Sequence, residues 1–494
     1  MTTIERSALR SGSAPTDWAA RHAHALLAAC LTLCLATRAW FIARLPYCAE
    51  DAYITFRYAM NWAHGLGPVY NAGEHAWGFT SALWTAVLAL AAVAHLPLEP
   101  AARVLLVGCD LATLVVGWRL LRGRSPLAAV AFGLFFATWP RLAQMPASGL
   151  ESGLVTCLLL GAAALVHGRW GGVLCGLLAL SRPEAALMSA IVAWRLRLRQ
   201  KLVWLGVAAL QCGLMLHFGR LLPSSVTSKS SVYGIQWLQG GYWLEWLVPG
   251  AAARTADGVA LAPLTVLLLT GLVAALAEWR REPDESALPV LFGCGLLWLA
   301  AYFAAGAPWY YWYAPAPMVA IVLVAFHGLG RSGVLRWAFV PLLVCLAVSW
   351  TTATPTAVRL QTHDATVFAQ IGRTLRADAA GRPASVMLEP IGLIGWTSGL
   401  RVIDEVGLVT PRVARERERG DGWYARVIAR ERPDYVVIRR DWLDGGIAWA
   451  GRGRPFRSPG QAEATMAGYA PLRLRADGPL PEGAAGLLVL KRSP

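Results

Sequence analysis

The sequence predicts a polytopic α-helical membrane protein that ends in a soluble α/β domain. Three observations carry that reading. The 494 residues are 56% hydrophobic and only 15% charged, against about 25% charged in an ordinary soluble domain. Apolar runs of 17 or more residues recur from about position 22 to about position 352, the length that a hydrocarbon core of about 30 Å demands. The last 140 or so residues lack such runs and hold 36 charged residues.

Residues 1–21 read as a polar cytoplasmic tail with Arg6, Arg10 and Arg21, not as a cleavable signal. A membrane domain follows over 22–352, and a soluble domain over 353–494. Apolar helices are expected at about 22–44, 79–96, 101–120, 126–143, 150–168, 171–181, 184–195, 201–220, 259–278, 287–305, 313–329 and 335–352. Clusters at Arg119–Arg124, Arg169, Arg195–Lys201, Arg280–Arg281 and Arg331–Arg336 mark inside loops. The loops 45–78 and 223–257 and the C-terminal domain then face outside. Parity holds only if 79–96 lies along or dips into the outer leaflet, which leaves eleven crossings. Twelve crossings would put every later arginine cluster outside, against the positive-inside rule.

The segments 171–181 and 184–195 are unusually short for a hydrocarbon core of about 30 Å. Eleven or twelve helical residues rise only about 17 Å. Their junction, Ser181-Arg182-Pro183-Glu184, is therefore expected below the outer surface in a protein-lined cavity, because broken backbone and charge are too costly against lipid. In the loop 223–257, the tryptophan- and tyrosine-rich stretch Ile235–Val248 reads as an interfacial helix. In the C-terminal domain, Ala357–Asp378 reads as an amphipathic helix. Residues 385–390, 401–404, 434–440 and 486–492 read as strands, with 425–433 helical before one of them.

Composition also excludes some functions. The net charge of +15 sits largely in short loops that set orientation, and no nucleic-acid-binding signature accompanies it. Eight of nine cysteines lie in apolar runs, Cys48 lies in a loop, and the C-terminal domain has none, so no disulfide framework is expected. No two histidines stand at ligand spacing.

The chemistry-bearing residues cluster on the outer face. Glu50 and Asp51 are adjacent carboxylates at the end of the first span. Arg57 follows on a short helix, and Glu74 and His75 follow in the same loop. Juxtamembrane charges often need only water, but this density exceeds what anchoring requires. Ser148-Gly149-Leu150-Glu151 reads equally as a capping box. Ser181 to Glu184 is a capped helix start that leaves a buried Arg182 unexplained. Lys229 stands among Ser224, Ser225, Ser228 and Ser230, a hydrophilic loop or a seat for phosphate or sugar. The run Trp309-Tyr310-Tyr311-Trp312-Tyr313 is an interface belt or a stacking platform for a sugar ring. A lipid phosphate leaves readily if cations absorb its charge, and an attacking hydroxyl needs a carboxylate base. Asp51 or Glu50, with Arg57, Arg182 and Lys229, supply that inventory. Glu74, His75, Glu151, Glu184, Trp309 and Tyr310 are candidates for sugar or acceptor contacts.

The stretch Asp51-Ala52-Tyr53-Ile54-Thr55-Phe56-Arg57-Tyr58, then Gly65, Gly67, Asn71, Gly73, Glu74, Gly78, Phe79 and Thr80, resembles the first outer loop of the GT-C superfamily of polyprenyl-phosphate-sugar glycosyltransferases. The pattern is most similar to the AftB-like branch of terminal arabinofuranosyltransferases. Ser148–Glu151, Ser181–Glu184, Leu222-Pro223 with Lys229, and Ile391–Gly395 with Arg401–Asp404 resemble later motifs of that branch. Glu50, where many relatives carry Asp, and Trp77, where a smaller or polar residue is usual, depart from it. The resemblance implies a GT-C fold and Asp51 as the base. It implies a polyprenyl-phosphate sugar donor, with arabinofuranose as the first expectation, and a glycan or protein hydroxyl as acceptor. The place is the periplasmic face of a bacterial inner membrane. No organic cofactor is expected, and a divalent cation at the acidic pair is left open. A transporter or lipid-linked-sugar flippase is the alternative, but it has less use for an outer domain of this size, and no inverted repeat is evident.

Overall fold

The computed structural model describes residues 14–233, 256–305, 309–443, 453–474 and 486–493. The predicted interfacial helix at Ile235–Val248 lies outside them.

Each of the twelve predicted apolar segments contains a helix. Six are long and apolar enough to cross a membrane, from Ala23–Arg44 to the segment Leu335–Pro355. A seventh crossing would be the pair Pro126–Thr138 and Pro140–Ser148, bent by 60°. That bend corrects the straight helix expected over 126–143. Pro140 has no N–H to offer the carbonyl of Phe136. Arg38, fully buried on the first span, supplies the missing donors: its guanidinium reaches Phe136 O at 2.9 Å and Ala137 O at 2.7 Å. Asp110 balances its charge at 2.9 Å.

Five apolar helices are shorter, among them Ala82–Val93, Gly171–Ser181 and Pro183–Ala193. Ala82–Val93 has 12 residues, and Ser152–Ala164 and Pro315–Arg331 are also short, so by length six or seven helices among the described residues could cross, fewer than the eleven expected. Gly171–Ser181 and Pro183–Ala193 are two short helices that meet at Arg182.

The last span does not end at the domain boundary. One 45-residue helix, Leu335–Ala379, runs through it. Its rise is about 67 Å at 1.5 Å per residue, with Pro341 and Pro355 inside it, and it carries the C-terminal domain. That domain holds a five-stranded sheet of β1 (Ser385–Leu388), β2 (Arg401–Asp404), β3 (Tyr435–Arg439), β4 (Tyr469–Pro471) and β5 (Leu487–Arg492). The order is β2-β1-β3-β5-β4. β2, β1 and β3 are parallel, and β5 is antiparallel to both β3 and β4. β4 was not foreseen. It is three residues long and its burial is slight, so it leaves no alternating pattern to read. Val386 and Val402 pack on one side with Val437, and Met387, Ile403 and Val436 pack on the other around Trp423 and Tyr424. A sheet covered on both faces reads as continuous apolar runs.

The first outer loop docks on the edge of this sheet. Asn71 acts as one extra strand residue: its amide donates to Val402 O at 2.8 Å and accepts from Val402 N at 3.0 Å. This satisfies a backbone pair that an edge strand would leave open. Tyr70 adds a bond to Ile391 O at 2.6 Å. The loop helix Glu50–Ala63 is thereby clamped between the membrane domain and the C-terminal domain.

Candidate active site

The loop helix begins at Glu50, with both carboxylates in its first turn, where the positive end of the helix dipole favours negative charge. Two close approaches fix this turn. Ala49 N donates to Ser148 O at 2.8 Å. Gly149, at φ 72°, lets that loop lie against Cys48, whose sulfur would be 2.9 Å from any added Cβ. On the other side the Gly392 N–H donates to Glu50 Oε1, and a Cβ on Gly392 would collide with the Glu50 carbonyl.

Lys229 meets Asp51 at 2.8 Å, with side chains 15% and 23% exposed. It comes from the helix Ser224–Tyr233 and sits over the rings of Tyr310 and Trp312 at 4.9 and 5.7 Å. The two carboxylates are driven apart in acidity. Burial pushes Glu50 well above the usual range, and the Asp51 charge and a hydrogen bond to Asp51 push it further. Burial alone would also raise Asp51. The Lys229 charge and hydrogen bond, with a hydrogen bond to Glu50, outweigh it and hold Asp51 below the ordinary aspartate range. Burial opposes the charge on Lys229, and Asp51 more than restores it. The pair is thus split, with Glu50 the weaker acid and Asp51 the stronger, as expected of buried neighbouring carboxylates.

Asp51 stands where three cavities meet. The first, about 310 Å³, opens among apolar side chains such as Leu187, Leu222 and Val226. Its polar wall is a buried cluster. Arg182 binds Glu151 and, at 2.5 Å, Glu184. Tyr302 donates to Glu184 at 2.6 Å, and the Arg182 guanidinium lies 4.7 Å from the Tyr313 ring. The second cavity, about 450 Å³, is polar and lies between Asp51 and the C-terminal domain. The third, about 160 Å³, joins Lys229 and Tyr310 to Asp404.

Several expected residues come together here: Glu50, Asp51, Arg182, Lys229, Glu151, Glu184 and Tyr310. Glu151 is no capping partner of Ser148. The Ser148 hydroxyl instead accepts from Leu150 N at 3.2 Å, leaving Glu151 to Arg182. Ser181 donates to Leu178 O at 2.7 Å and closes the preceding helix rather than capping the next.

Four expected residues do not line these cavities, and their placement corrects the reading above. Arg57 donates to Tyr70 O, Gly395 O, Leu400 O and Asn71 Oδ1 at 2.7–3.2 Å and stacks on Tyr70. With its N–H groups so engaged, it is a rivet between loop and C-terminal domain. Glu74 pairs with Arg401 at 2.7 Å and Arg412 at 3.6 Å at the same junction. His75 is exposed, with its ring 6.2 Å from that of His217. Trp309 stands behind the cavity wall, its ring 5.2 Å from Tyr302. Trp77 is buried and stacks on Phe218 at 5.4 Å, which makes it a packing residue.

Tyr302, Glu389 and Arg439 line the cavities but escaped the sequence reading, and Trp312 and Tyr313 join them. Trp312 and Tyr313 sat in a run already noted, and a 3-10 turn at Tyr311–Tyr313 decides which rings face inward. Tyr302 left one signal, a tyrosine inside an otherwise apolar span. Among the described residues no group of three or more His, Cys, Asp or Glu could hold a metal ion. Lys229 and the Gly392 N–H engage the two carboxylates.

Known proteins share this arrangement of chain. ArnT of Cupriavidus metallidurans superposes with a TM-score of 0.61 over 94% of this chain and 97% of that one, at 11% identity. The chain has the GT-C fold. The oligosaccharyltransferase of Archaeoglobus fulgidus (TM-score 0.53, 12% identity, 90% of this chain and 72% of that one) and the mycobacterial arabinofuranosyltransferase AftD (TM-score 0.51, 16% identity, 94% and 40%) are further structural relatives. In sequence, the chain is 31% identical over 236 residues to the terminal β-(1→2)-arabinofuranosyltransferase of Mycobacterium tuberculosis. That match covers 39% of this chain and little more than a third (36%) of the relative. Residues 356–476 match a family described as a domain of unknown function, DUF8728. Within the GT-C fold of this multi-pass membrane protein, that region is most of the C-terminal domain, including β1 to β4.

Proposed function

We propose that the protein is a membrane glycosyltransferase. It moves a sugar, arabinofuranose first among the candidates, from a polyprenyl-phosphate carrier to a hydroxyl of a cell-envelope glycan or protein. The reaction takes place at the periplasmic face of a bacterial inner membrane. One observation carries the reading: an ionised Asp51, held by Lys229 at 2.8 Å, stands where an apolar cavity meets a polar one. The ArnT structure contains undecaprenyl phosphate and the sequence relative is named for arabinofuranosyl transfer, which supports this choice of donor.

The apolar cavity suits the first isoprene units and the phosphodiester. Its charged wall holds three carboxylates, Asp51, Glu151 and Glu184, against the two cations Arg182 and Lys229. An incoming phosphate therefore needs a cation released from a carboxylate. Arg182 is tied to two acids and a ring, whereas Lys229 is tied to one acid and lies over two rings, so Lys229, with the fewer ion pairs, is the cation to move. Ser225, one helical turn before it, has a buried hydroxyl without a partner among the described residues and lines the same cavity. It is placed to donate to a phosphate oxygen. When Lys229 turns to the phosphate, Asp51 loses the charge that depresses its basicity and can accept a proton. The acceptor oxygen then attacks the anomeric carbon and its proton passes to Asp51. The bond from that carbon to the phosphate oxygen breaks, with the electron pair leaving on the lipid phosphate.

The test is turnover by the full-length protein in lipid nanodiscs. It is given synthetic polyprenyl-phosphoryl arabinofuranose and an octyl arabinofuranosyl disaccharide, with products read by mass spectrometry. A product one pentose heavier is expected. Movement of the lipid-linked sugar across the bilayer with no transfer from any lipid-linked pentose or hexose would establish the flippase reading instead.

A further inference from the structure

The polar cavity of about 450 Å³ lies on the far side of Asp51 from the apolar one, and its chemistry is built by the C-terminal sheet. β1, β2 and β3 run parallel with β1 in the middle. The chain leaves β1 toward β2 on one side, then crosses to β3 on the other. The order therefore reverses between β1 and β3, and in open α/β sheets ligands bind outside the carboxyl ends of the strands at such a point. Here those ends are Glu389, the residue after β1, and Arg439, the last of β3. They pair across the crevice at 2.7 Å and both line the cavity that Asp51 lines. The facing wall comes from the helix Leu335–Ala379, where Gln361 has a buried amide nitrogen without a partner among the described residues. The aromatic side is Tyr311 and Trp312 from the 3-10 turn.

We infer that this switch-point crevice is the acceptor site and that its occupant is a neutral glycan end, with the Glu389–Arg439 pair as the specificity-determining contact. The inference rests on the transferase reading above. A carboxylate and a guanidinium side by side can accept from and donate to vicinal hydroxyls. An unsatisfied amide offers a further donor, and flat rings cover the apolar face of a sugar. Lys229 balances Asp51, and the remaining carboxylates Glu50, Asp364 and Glu389 face only Arg141 and Arg439. The crevice therefore has no surplus cation to hold a phosphorylated or otherwise anionic acceptor.

The experiment uses full-length protein in nanodiscs with one lipid-linked arabinofuranose donor and three acceptor probes: a neutral octyl arabinofuranosyl disaccharide, the same disaccharide bearing a phosphate, and a serine/threonine peptide. Wild type should use the neutral probe and discriminate against the phosphorylated one. Glu389→Gln and Arg439→Gln should each raise KM for the neutral acceptor by about 10-fold or more, as loss of a hydrogen bond to a charged group does. The donor KM should rise much less. A thermal melt of each variant separates lost contact from lost fold. If donor and acceptor KM rise together, or if neither moves, the crevice is not the acceptor site. If the phosphorylated probe or the peptide is preferred, the acceptor class is wrong. If the donor is turned over onto no acceptor and onto no water, the transferase reading itself fails.

Discussion

Replacing Lys229 by methionine keeps most of the side chain's bulk and removes only the charge opposite Asp51. At 2.8 Å and an effective dielectric of about 20, the attraction between the two charges is about 6 kcal/mol before solvent screening. With both groups largely buried, loss of one partner is expected to cost about 2–5 kcal/mol. Two readouts follow. First, donor KM should rise by about 30-fold or more, because the mobile phosphate cation is gone. Second, the acid limb of the pH profile of kcat/KM should move upward. In wild type, Lys229 holds Asp51 below the ordinary aspartate range against the pull of burial. The base thus stays ionised, and activity persists, to unusually low pH. Without Lys229, burial dominates and Asp51 takes up its proton at higher pH. Stability follows the same sign. The depressed Asp51 stabilises the fold above its unfolded pKa, and that contribution is lost as pH falls through the folded value; Lys229→Met removes it. Rates measured from acid to neutral pH with saturating acceptor decide the matter. A Lys229→Met enzyme with wild-type donor KM and an unmoved acid limb would refute the link between this ion pair and the chemistry.

Arg182→Ala should lower unfolding stability by about 3–5 kcal/mol, since it leaves Glu151 and Glu184 facing each other in a buried wall, and Arg182→Lys should recover only part of it because one ammonium cannot span both acids. Denaturant unfolding in detergent checks this; equal midpoints for wild type and Arg182→Ala would remove the cluster from the account. In the C-terminal domain, burial raises Glu405 from 4.5 to about 8, with Tyr424 donating to it at 2.8 Å. A raised carboxylate stabilises below its unfolded pKa and that stability is lost as pH rises through the folded value. Wild type should therefore lose stability between pH 4.5 and about 8, and Glu405→Gln should flatten that slope; a slope unchanged in the variant would place the titrating group elsewhere.

The membrane helices were legible because bilayer thickness writes directly into run length. The break at Arg182 could also be read, from the shortness of the two segments that flank it. The bend at Pro140 was readable in principle but was hidden by an apolar run that continues past it. The parallel strands showed as unbroken apolar stretches at 385–388, 401–404 and 435–439, whereas β4 is too short and too exposed to leave a pattern. Among site residues, Asp51, Arg182 and Lys229 were visible as charges where charge is costly. Arg57 and Glu74 gave the same signal for a different reason: they hold the loop to β2 and its preceding turn, and a charge needed for docking looks like one needed for chemistry. Glu389 and Arg439 could not be told from other charges of a soluble domain. Only the strand order brings them together, more than 330 residues after the carboxylates they face.

The central claim is that Asp51 takes the acceptor's proton. Asp51→Asn preserves shape and polarity but cannot serve as a base, so single-turnover transfer from a lipid-linked sugar to the acceptor should slow by about 10²–10⁴-fold. Donor binding should change little, and Glu50→Gln, at the weaker acid of the pair, should slow transfer far less. Near-wild-type transfer by Asp51→Asn would contradict the account, whatever the other variants do.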